Sequence, residues 1–289
     1  MYKLILLFSF LVNAHAQVHH PELPPELIHA PYPVSRYFRT IPLNKAYAQR
    51  GTARFEYLNK DKVSLLIWNI QKLKQKQWED EFNKLAEGKD LILFQEAYEN
   101  KIFIEKTSAL QDFTWDFAQS FEYLLYGVTT GNMIGSNTRN TNAKVLHSPD
   151  LEPVLDTPKA TMATTYPIID SDKELLVISI HGINFTTNNK FYRQLNQIFA
   201  LIDQHDGPVI FGGDFNTHNN KRFDFMMREA KKRNLINLDF RDSYLRKKFS
   251  GNILDHTLAR GVEVIDSYIP TDIQGSDHSP MVLEVKIIN

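Results

Sequence analysis

Apolar residues along this chain fall into short, nearly unbroken runs, separated by segments in which they recur every three or four positions. Val63 to Trp68 (VSLLIW), Leu91 to Phe94 (LILF), Leu175 to Ile180 (LLVISI) and Val209 to Phe211 have the length and composition of buried strands. Ile253-Leu254, Val262 to Ile265 and Met281 to Ile288 add further strand signals toward the end. Trp78, Phe82 and Leu85 sit at helical spacing, and so do Phe191, Leu195, Ile198, Phe199 and Ile202, each set marking one apolar helix face. Strands dominate, with helices between some of them. The pattern predicts packed sheets flanked by helices, an α/β (α+β) sandwich.

The two ends of the pattern read differently. Lys3, the apolar stretch Leu4 to Val12 and Ala14-His15-Ala16 form an export-signal pattern over residues 1–16, with processing expected after Ala16. The stretch is too short to cross a bilayer, which takes about 20 residues. Residues 17–45 carry Pro21, Pro24, Pro25, Pro31 and Pro33 and read as an extended arm. No other proline- or glycine-rich break follows, so residues 46–289 are expected to form one domain.

Composition narrows the chemistry. The 289 residues hold no cysteine, which removes disulfides, thiolate metal sites and a cysteine nucleophile together. A chain without thiols suits an oxidising compartment, here a bacterial periplasm or the medium outside. The 33 basic and 34 acidic residues leave a formal charge of −1, which excludes binding of nucleic acid by bulk positive charge alone.

The predicted strands end in acids, amides and histidines. Val63 to Trp68 runs into Asn69, Leu91 to Phe94 into Gln95-Glu96, and Leu175 to Ile180 into His181, with Asn184 close behind. Val209 to Phe211 leads to Asp214 and Asn216, Ile253-Leu254 to Asp255, and Ser276-Asp277-His278 precedes the last strand. Any one of these has a structural explanation, such as a turn at Asp214. Six together suggest side chains converging at one rim of a layered fold. Oxygen donors without sulfur favour a hard cation, magnesium or manganese, over zinc. Two histidines and several acids around such a cation suit attack of water on a phosphodiester.

These strings resemble the endonuclease/exonuclease/phosphatase, or DNase I-like, superfamily: WNIQ at 68–71, QEA at 95–97, HGIN at 181–184, GGDFN at 212–216, LDH at 254–256 and SDHSP at 276–280. The order and spacing match over residues 63 to 289, and HGINF, GPVI before GDFN, and LD followed by RGV are most similar to the bacterial YafD-type branch. The resemblance implies a four-layered sandwich of two mixed sheets flanked by helices. It implies Glu96 as main ligand of a Mg2+ ion, with Asn69 and Asp277 beside it, and Mn2+ as a substitute. Asp214 and Asn216 would position water and the scissile phosphate. His278 would touch the phosphate with Asp255 fixing its tautomer, His181 would be a candidate general acid, and either Asp214 or His278 would take the proton from water, the two forming one acid–base unit. Asn184 and, from the segment Gly131 to Arg139, Arg139 would reach phosphate. His256, where an apolar residue is commoner, is expected to be an exposed bystander.

Residues 221 to 248 hold ten Lys or Arg against four acids, which reads either as a guide for a polyanion or as a solvated helix face covering Phe225, Met226 and Ala230. The expected activity is that of an exported, metal-dependent phosphodiesterase, most directly a nuclease, acting as a monomer on nucleic acid or another phosphodiester without an obligate protein partner. Two alternatives stand beside it: a phosphoesterase for lipid or inositol head groups, and a non-catalytic binding protein on the same scaffold. No exposed Trp/Phe hairpin is evident for lipid, although Phe113, Trp115 and Phe117 alternate as such a surface would.

Overall fold

The computed structural model describes residues 37–153 and 155–288. The export signal and all but the end of the proline-rich arm lie outside the described residues. In chain order the elements are β1 (Phe38–Thr40), β2 (Tyr47–Gly51), β3 (Val63–Asn69), α1 (Trp78–Ala86), β4 (Leu91–Tyr98), α2 (Lys101–Ala109), β5 (Thr114–Tyr123), β6 (Val128–Ser136) and β7 (Asn142–His147). There follow β8 (Ala160–Pro167), β9 (Glu174–His181), α3 (Asn188–Ile202), β10 (Val209–Asp214), α4 (Asn220–Lys231), β11 (Ile236–Asn237), β12 (Lys248–Phe249), β13 (Asn252–Ile253), β14 (Asp255–Arg260), β15 (Val262–Tyr268) and β16 (Met281–Ile287).

Two mixed sheets carry the fold. The first runs β1-β5-β6-β4-β3-β16-β15 with β2 also on β5, and the second runs β11-β14-β10-β9-β8-β7. Each has one parallel pair, β3 with β4 and β9 with β10, among antiparallel neighbours. The central strands read as unbroken apolar runs because both of their faces are covered. On β3, Leu65 and Ile67 enter the core between the sheets, while Leu66 and Trp68 pack with Trp78 and Phe82 of α1. On the second sheet, the predicted face of α3 is fully buried with Ile178, Ile180 and Phe211. Each such side chain contributes about 2 kcal/mol of apolar burial. The result is the expected four-layered arrangement, helices outside and sheets within.

Several expectations are corrected. β1 pairs with β5 and buries Phe38, so the domain starts ahead of the boundary expected at residue 46. Phe113, Trp115 and Phe117 are buried, and Trp115 donates its indole N–H to the Thr107 carbonyl at 3.1 Å, so they are core and not a lipid surface. Asp255 opens β14 instead of closing a strand. His256 is no bystander: it is 2% exposed, and its Nε2 lies 2.9 Å from Thr217 Oγ1. Burial, with Arg246 nearby, pushes its imidazole down to about 3, so it is a neutral structural group.

Candidate active site

The site forms where one rim of each sheet meets the other. Strands running toward the rim contribute their last residues, and strands running away contribute their first. In the second sheet the register sets His181 of β9, Asp214 of β10 and Asp255 of β14 side by side in one row. Gly213, just before Asp214, has φ +137°, and a Cβ there would come within 2.2 Å of the Ile180 carbonyl oxygen. Only glycine lets β10 approach β9 closely enough to align that row.

The first sheet faces this row with Asn69 at the end of β3 and Glu96 near the end of β4. Asn69 Nδ2 donates to Asp214 Oδ2 at 3.1 Å, across the core. Glu96 would point into the outer layer if β4 alternated regularly. A bulge between Phe94 and Ala97 and a left-handed backbone (φ 55°) at Glu96 turn it to the rim instead. His278 comes from the loop before β16. Its carbonyl accepts the Trp68 indole N–H at 2.8 Å, and neighbouring Ser276 Oγ donates to the Asn69 carbonyl at 2.6 Å.

Asp214 is the hub. Its Oδ2 lies 3.6 Å from His181 Nε2 and 3.8 Å from His278 Nε2, and its Oδ1 accepts the Asn216 N–H at 2.9 Å. Asn216 Nδ2 donates to the Gly182 carbonyl at 2.9 Å, tying the loops after β9 and β10 together. His278 Nδ1 donates to Asp255 at 2.9 Å, and His181 Nε2 also stands 3.9 Å from Glu96. Left-handed backbone gathers here: Gln71, Lys72, Leu73, Glu96, Phe185 and Asn216 all have φ between 47° and 60°. Such a conformation costs about 1–2 kcal/mol per L-residue, and it collects where positioning is bought with strain.

Electrostatics divide the groups. Burial pushes Asp214 up, to about 7, outweighing the opposing charge of His278. Burial alone would lower His278, but Asp255 and Asp214 drive it up to about 10, so its imidazole is charged at neutral pH. Burial, reinforced by Lys159, holds His181 well below the usual histidine range and therefore neutral. Burial opposes ionisation of Glu96, yet the positive charge of Lys72, with Lys159, keeps its carboxyl well below the usual range. The site thus holds a carboxylate near its titration point, a charged imidazole and a neutral one.

The sequence model of the endonuclease/exonuclease/phosphatase family matches residues 66–278, a span that runs from β3 to His278 and includes every one of these groups. The chain belongs to that family. It is 30% identical over 222 residues to a UPF0294 protein of Vibrio parahaemolyticus, covering 76% of each. Among solved structures, an endonuclease/exonuclease/phosphatase from Beutenbergia cavernae superposes with TM-score 0.63 at 15% identity, covering 79% of this chain and 72% of that one. The human Nocturnin catalytic domain with bound sulfate gives TM-score 0.59 at 16% identity, covering 86% and 100%. The two structures show the shared fold. Family membership implies a hydrolase of phosphoric esters, typically dependent on a divalent metal.

The structure brings together His181, Asp214, Asn216, Asp255, His278, Asn69 and Glu96. Asn184 follows His181 on the same rim, but its side chain accepts the Phe185 N–H at 2.8 Å, and its own N–H goes to Glu152 at 2.9 Å. Arg139 is not brought to the site. It follows β6, whose last residue pairs with the first residue of β4, so Arg139 lies at the opposite rim from Glu96, exposed. Asp277 is exposed and its carboxylate is taken by Lys247 Nζ at 2.8 Å.

For a hard cation the donor chemistry fits: Glu96 is held anionic, and the Asn69 amide oxygen and Asp277 supply oxygen ligands without sulfur. Glu96 and Asn69 would hold the ion, with Asp277 joining on release from Lys247. Asp214, Asp255 and His278 also offer ligand atoms within 4.8 Å of one another, and form a second group that could hold a cation.

Sequence reasoning missed Lys72, Lys159 and Arg222. Lys72 pairs with Glu96, and both line a cavity of about 40 Å3 with Asn132, Lys159 and His181. Lys72 carried a signal, since it follows the strand-end motif directly. Lys159 precedes β8 in a loop without one. Arg222, counted among the basic residues, is fully buried and donates to the carbonyls of Ile183 at 2.7 Å, Asn216 at 3.1 Å and Thr186 at 3.1 Å, bracing the rim loops. Arg246 and Lys247 also come to the rim, where Arg246 donates to the Asp255 carbonyl at 3.2 Å and Lys247 to Asp277, but other members of the basic segment are drawn off by acids elsewhere. Arg233 pairs with Asp203 at 2.7 Å, Lys232 with Glu229 at 2.8 Å, and Arg241 with Asp266 at 2.7 Å. Lys231 ends α4, a helix of 12 residues that starts at the rim and carries it about 17 Å along the axis, away from the site.

Proposed function

We propose that the protein is an exported, magnesium-dependent phosphodiesterase, and specifically a nuclease, active as a monomer without an obligate protein partner. The carrying observation is Asp214, raised to about 7 and set within 4 Å of both histidines. A carboxylate titrating near neutrality is matched to taking a proton from water, an effect worth roughly 10²–10⁴-fold. His278, charged through Asp255, supports the negative charge that builds on phosphate. Neutral His181 offers its Nε2–H as a hydrogen bond to the leaving oxygen. A divalent cation at Glu96 and Asn69 supplies neutralisation of phosphate charge.

A second reading, a lipid head-group phosphoesterase, has one observation in its favour. The β12–β13 hairpin before Asp255 carries Phe249, 50% exposed, next to Lys248. The same ring suits stacking of an unpaired base, and the tetrahedral ester chemistry is common to both.

The test is incubation of the purified chain with DNA, RNA, sphingomyelin and inositol phosphates, with Mg2+ and with EDTA. Metal-dependent cleavage of nucleic acid is the expected result. Hydrolysis confined to sphingomyelin or inositol phosphates overturns the nuclease assignment. Mass spectrometry of the exported protein should find Gln17 at its start, and an intact Met1 there overturns processing.

A further inference from the structure

The carboxylate best placed to hold the cation is already occupied by a cation of the chain itself. Glu96 is ion-paired with Lys72, both partly buried. Lys72 does not reach Glu96 by chance of rotamer alone. It is the middle of three consecutive left-handed residues, Gln71, Lys72 and Leu73, with φ 47°, 53° and 60°. The turn is pinned at both ends: the Gln71 N–H donates to Asn69 Oδ1 at 3.0 Å, and Leu73 is buried in the outer core beside Trp78. Lys72 thus sits on a strained, anchored turn aimed at Glu96, and it lines the same cavity as Lys159 and His181.

We propose that the Lys72 ammonium competes with the divalent cation for Glu96 and is drawn off by the phosphate of the substrate, so that metal and substrate bind cooperatively. The proposal rests on the reading of Glu96 as metal ligand. An ammonium and a divalent cation cannot share one carboxylate without strong repulsion. A tetrahedral phosphate anion in the cavity gives the displaced ammonium a new partner next to Lys159. Metal affinity is then reduced by the fraction of time the lysine stays on Glu96, and an anion removes that reduction.

Mn2+ binding to the purified chain, read by calorimetry and by the electron paramagnetic resonance of free Mn2+, tests this with no turnover involved. With the pair closed nine-tenths of the time, Lys72→Met tightens Mn2+ binding about tenfold. Lys72→Arg, which keeps the charge, stays near the natural affinity, and Lys74→Met, which removes a nearby charge that does not pair with Glu96, changes it less than Lys72→Met. Sulfate, used as a tetrahedral oxyanion in place of the substrate phosphate, tightens Mn2+ binding to the natural chain but not to Lys72→Met. If Lys72→Met and Lys74→Met act alike, or sulfate has no effect on the natural chain, the competition is absent and the proposal is overturned. Glu96→Gln separates the two failures: if it binds Mn2+ as well as the natural chain, the metal assignment fails and the competition falls with it. If it loses Mn2+ while Lys72→Met leaves affinity unchanged, only the proposal fails.

Discussion

His278 and Asp255 meet through one ring nitrogen and two oxygens: Nδ1 lies 2.9 Å from each Asp255 carboxylate oxygen. That contact fixes which edge of the imidazole is left over, and Nε2 is turned toward Asp214, 3.8 Å away. A carboxylate on one nitrogen and a reacting group on the other is how a histidine is held in one tautomer and one charge state.

The pair should therefore act as one unit. His278→Ala is expected to lower turnover by about 10²-fold or more, the scale of lost acid–base assistance. Asp255→Asn removes the charge that raises His278, and the His278 titration measured by NMR should move down from about 10. The double substitution should cost little beyond His278→Ala alone. Losses that multiply as independent factors would mean Asp255 does not work through His278.

The pH profile follows from the same groups. Asp214 must lose its proton to act as base, so activity should rise as pH passes through about 7. His278 must keep its proton, so activity should fall as pH passes through about 10. The two limbs belong to the coupled set and not to either residue by itself. A plot of kcat/KM from pH 5 to 11 checks this. A flat profile between pH 5 and 8 would contradict the role given to Asp214.

Removal of the metal should abolish turnover. All proposed ligands are oxygen donors, so Mg2+ or Mn2+ should restore activity after EDTA treatment. Full activity after exhaustive chelation would remove the metal from the account.

Arg222 carries a prediction about stability as well as activity. Its guanidinium joins three backbone carbonyls from the loops after β9 and β10. Arg222→Met leaves those buried acceptors unpaired and should cost about 3 kcal/mol, seen as a lower denaturant midpoint. Arg222→Lys should rescue little, because one ammonium cannot span a planar three-carbonyl site. A midpoint unchanged in Arg222→Met would show that water replaces the guanidinium.

The layered fold was legible in the sequence because central strands covered on both faces must be apolar throughout, as β3 and β9 are. The row His181, Asp214, Asp255 was legible as strand-end polar residues, although only the register of β9, β10 and β14 shows that they are neighbours. Other features were hidden for physical reasons. Arg139 follows a strand but at its wrong end, and strand direction is not written in a local pattern, while Lys231 closes a helix that leads away from the site. Arg222 and His256 are polar residues whose partners are backbone carbonyls and a threonine, and such partners leave no periodic trace. The pairing of Lys72 with Glu96 depends on a left-handed turn and a bulge, neither of which composition reveals. Phe249 was overlooked as an exposed ring because its hairpin is only two residues long on each side.

The central claim is that Asp214 is the group on which hydrolysis of a phosphoric diester turns. Turnover of a small generic phosphodiester with Mg2+, compared between the natural chain and Asp214→Asn, tests it most directly. Asparagine keeps the size of the side chain, but its single oxygen can accept only one of the two N–H groups that Asp214 accepts, from Asn216 and from Asn69; circular dichroism should show the fold retained, with the denaturant midpoint lowered by the equivalent of about 1–3 kcal/mol. The account predicts a loss of about 10³-fold or more in kcat, within the range for a lost general base. An Asp214→Asn chain that stays folded and turns over within tenfold of the natural rate would contradict it.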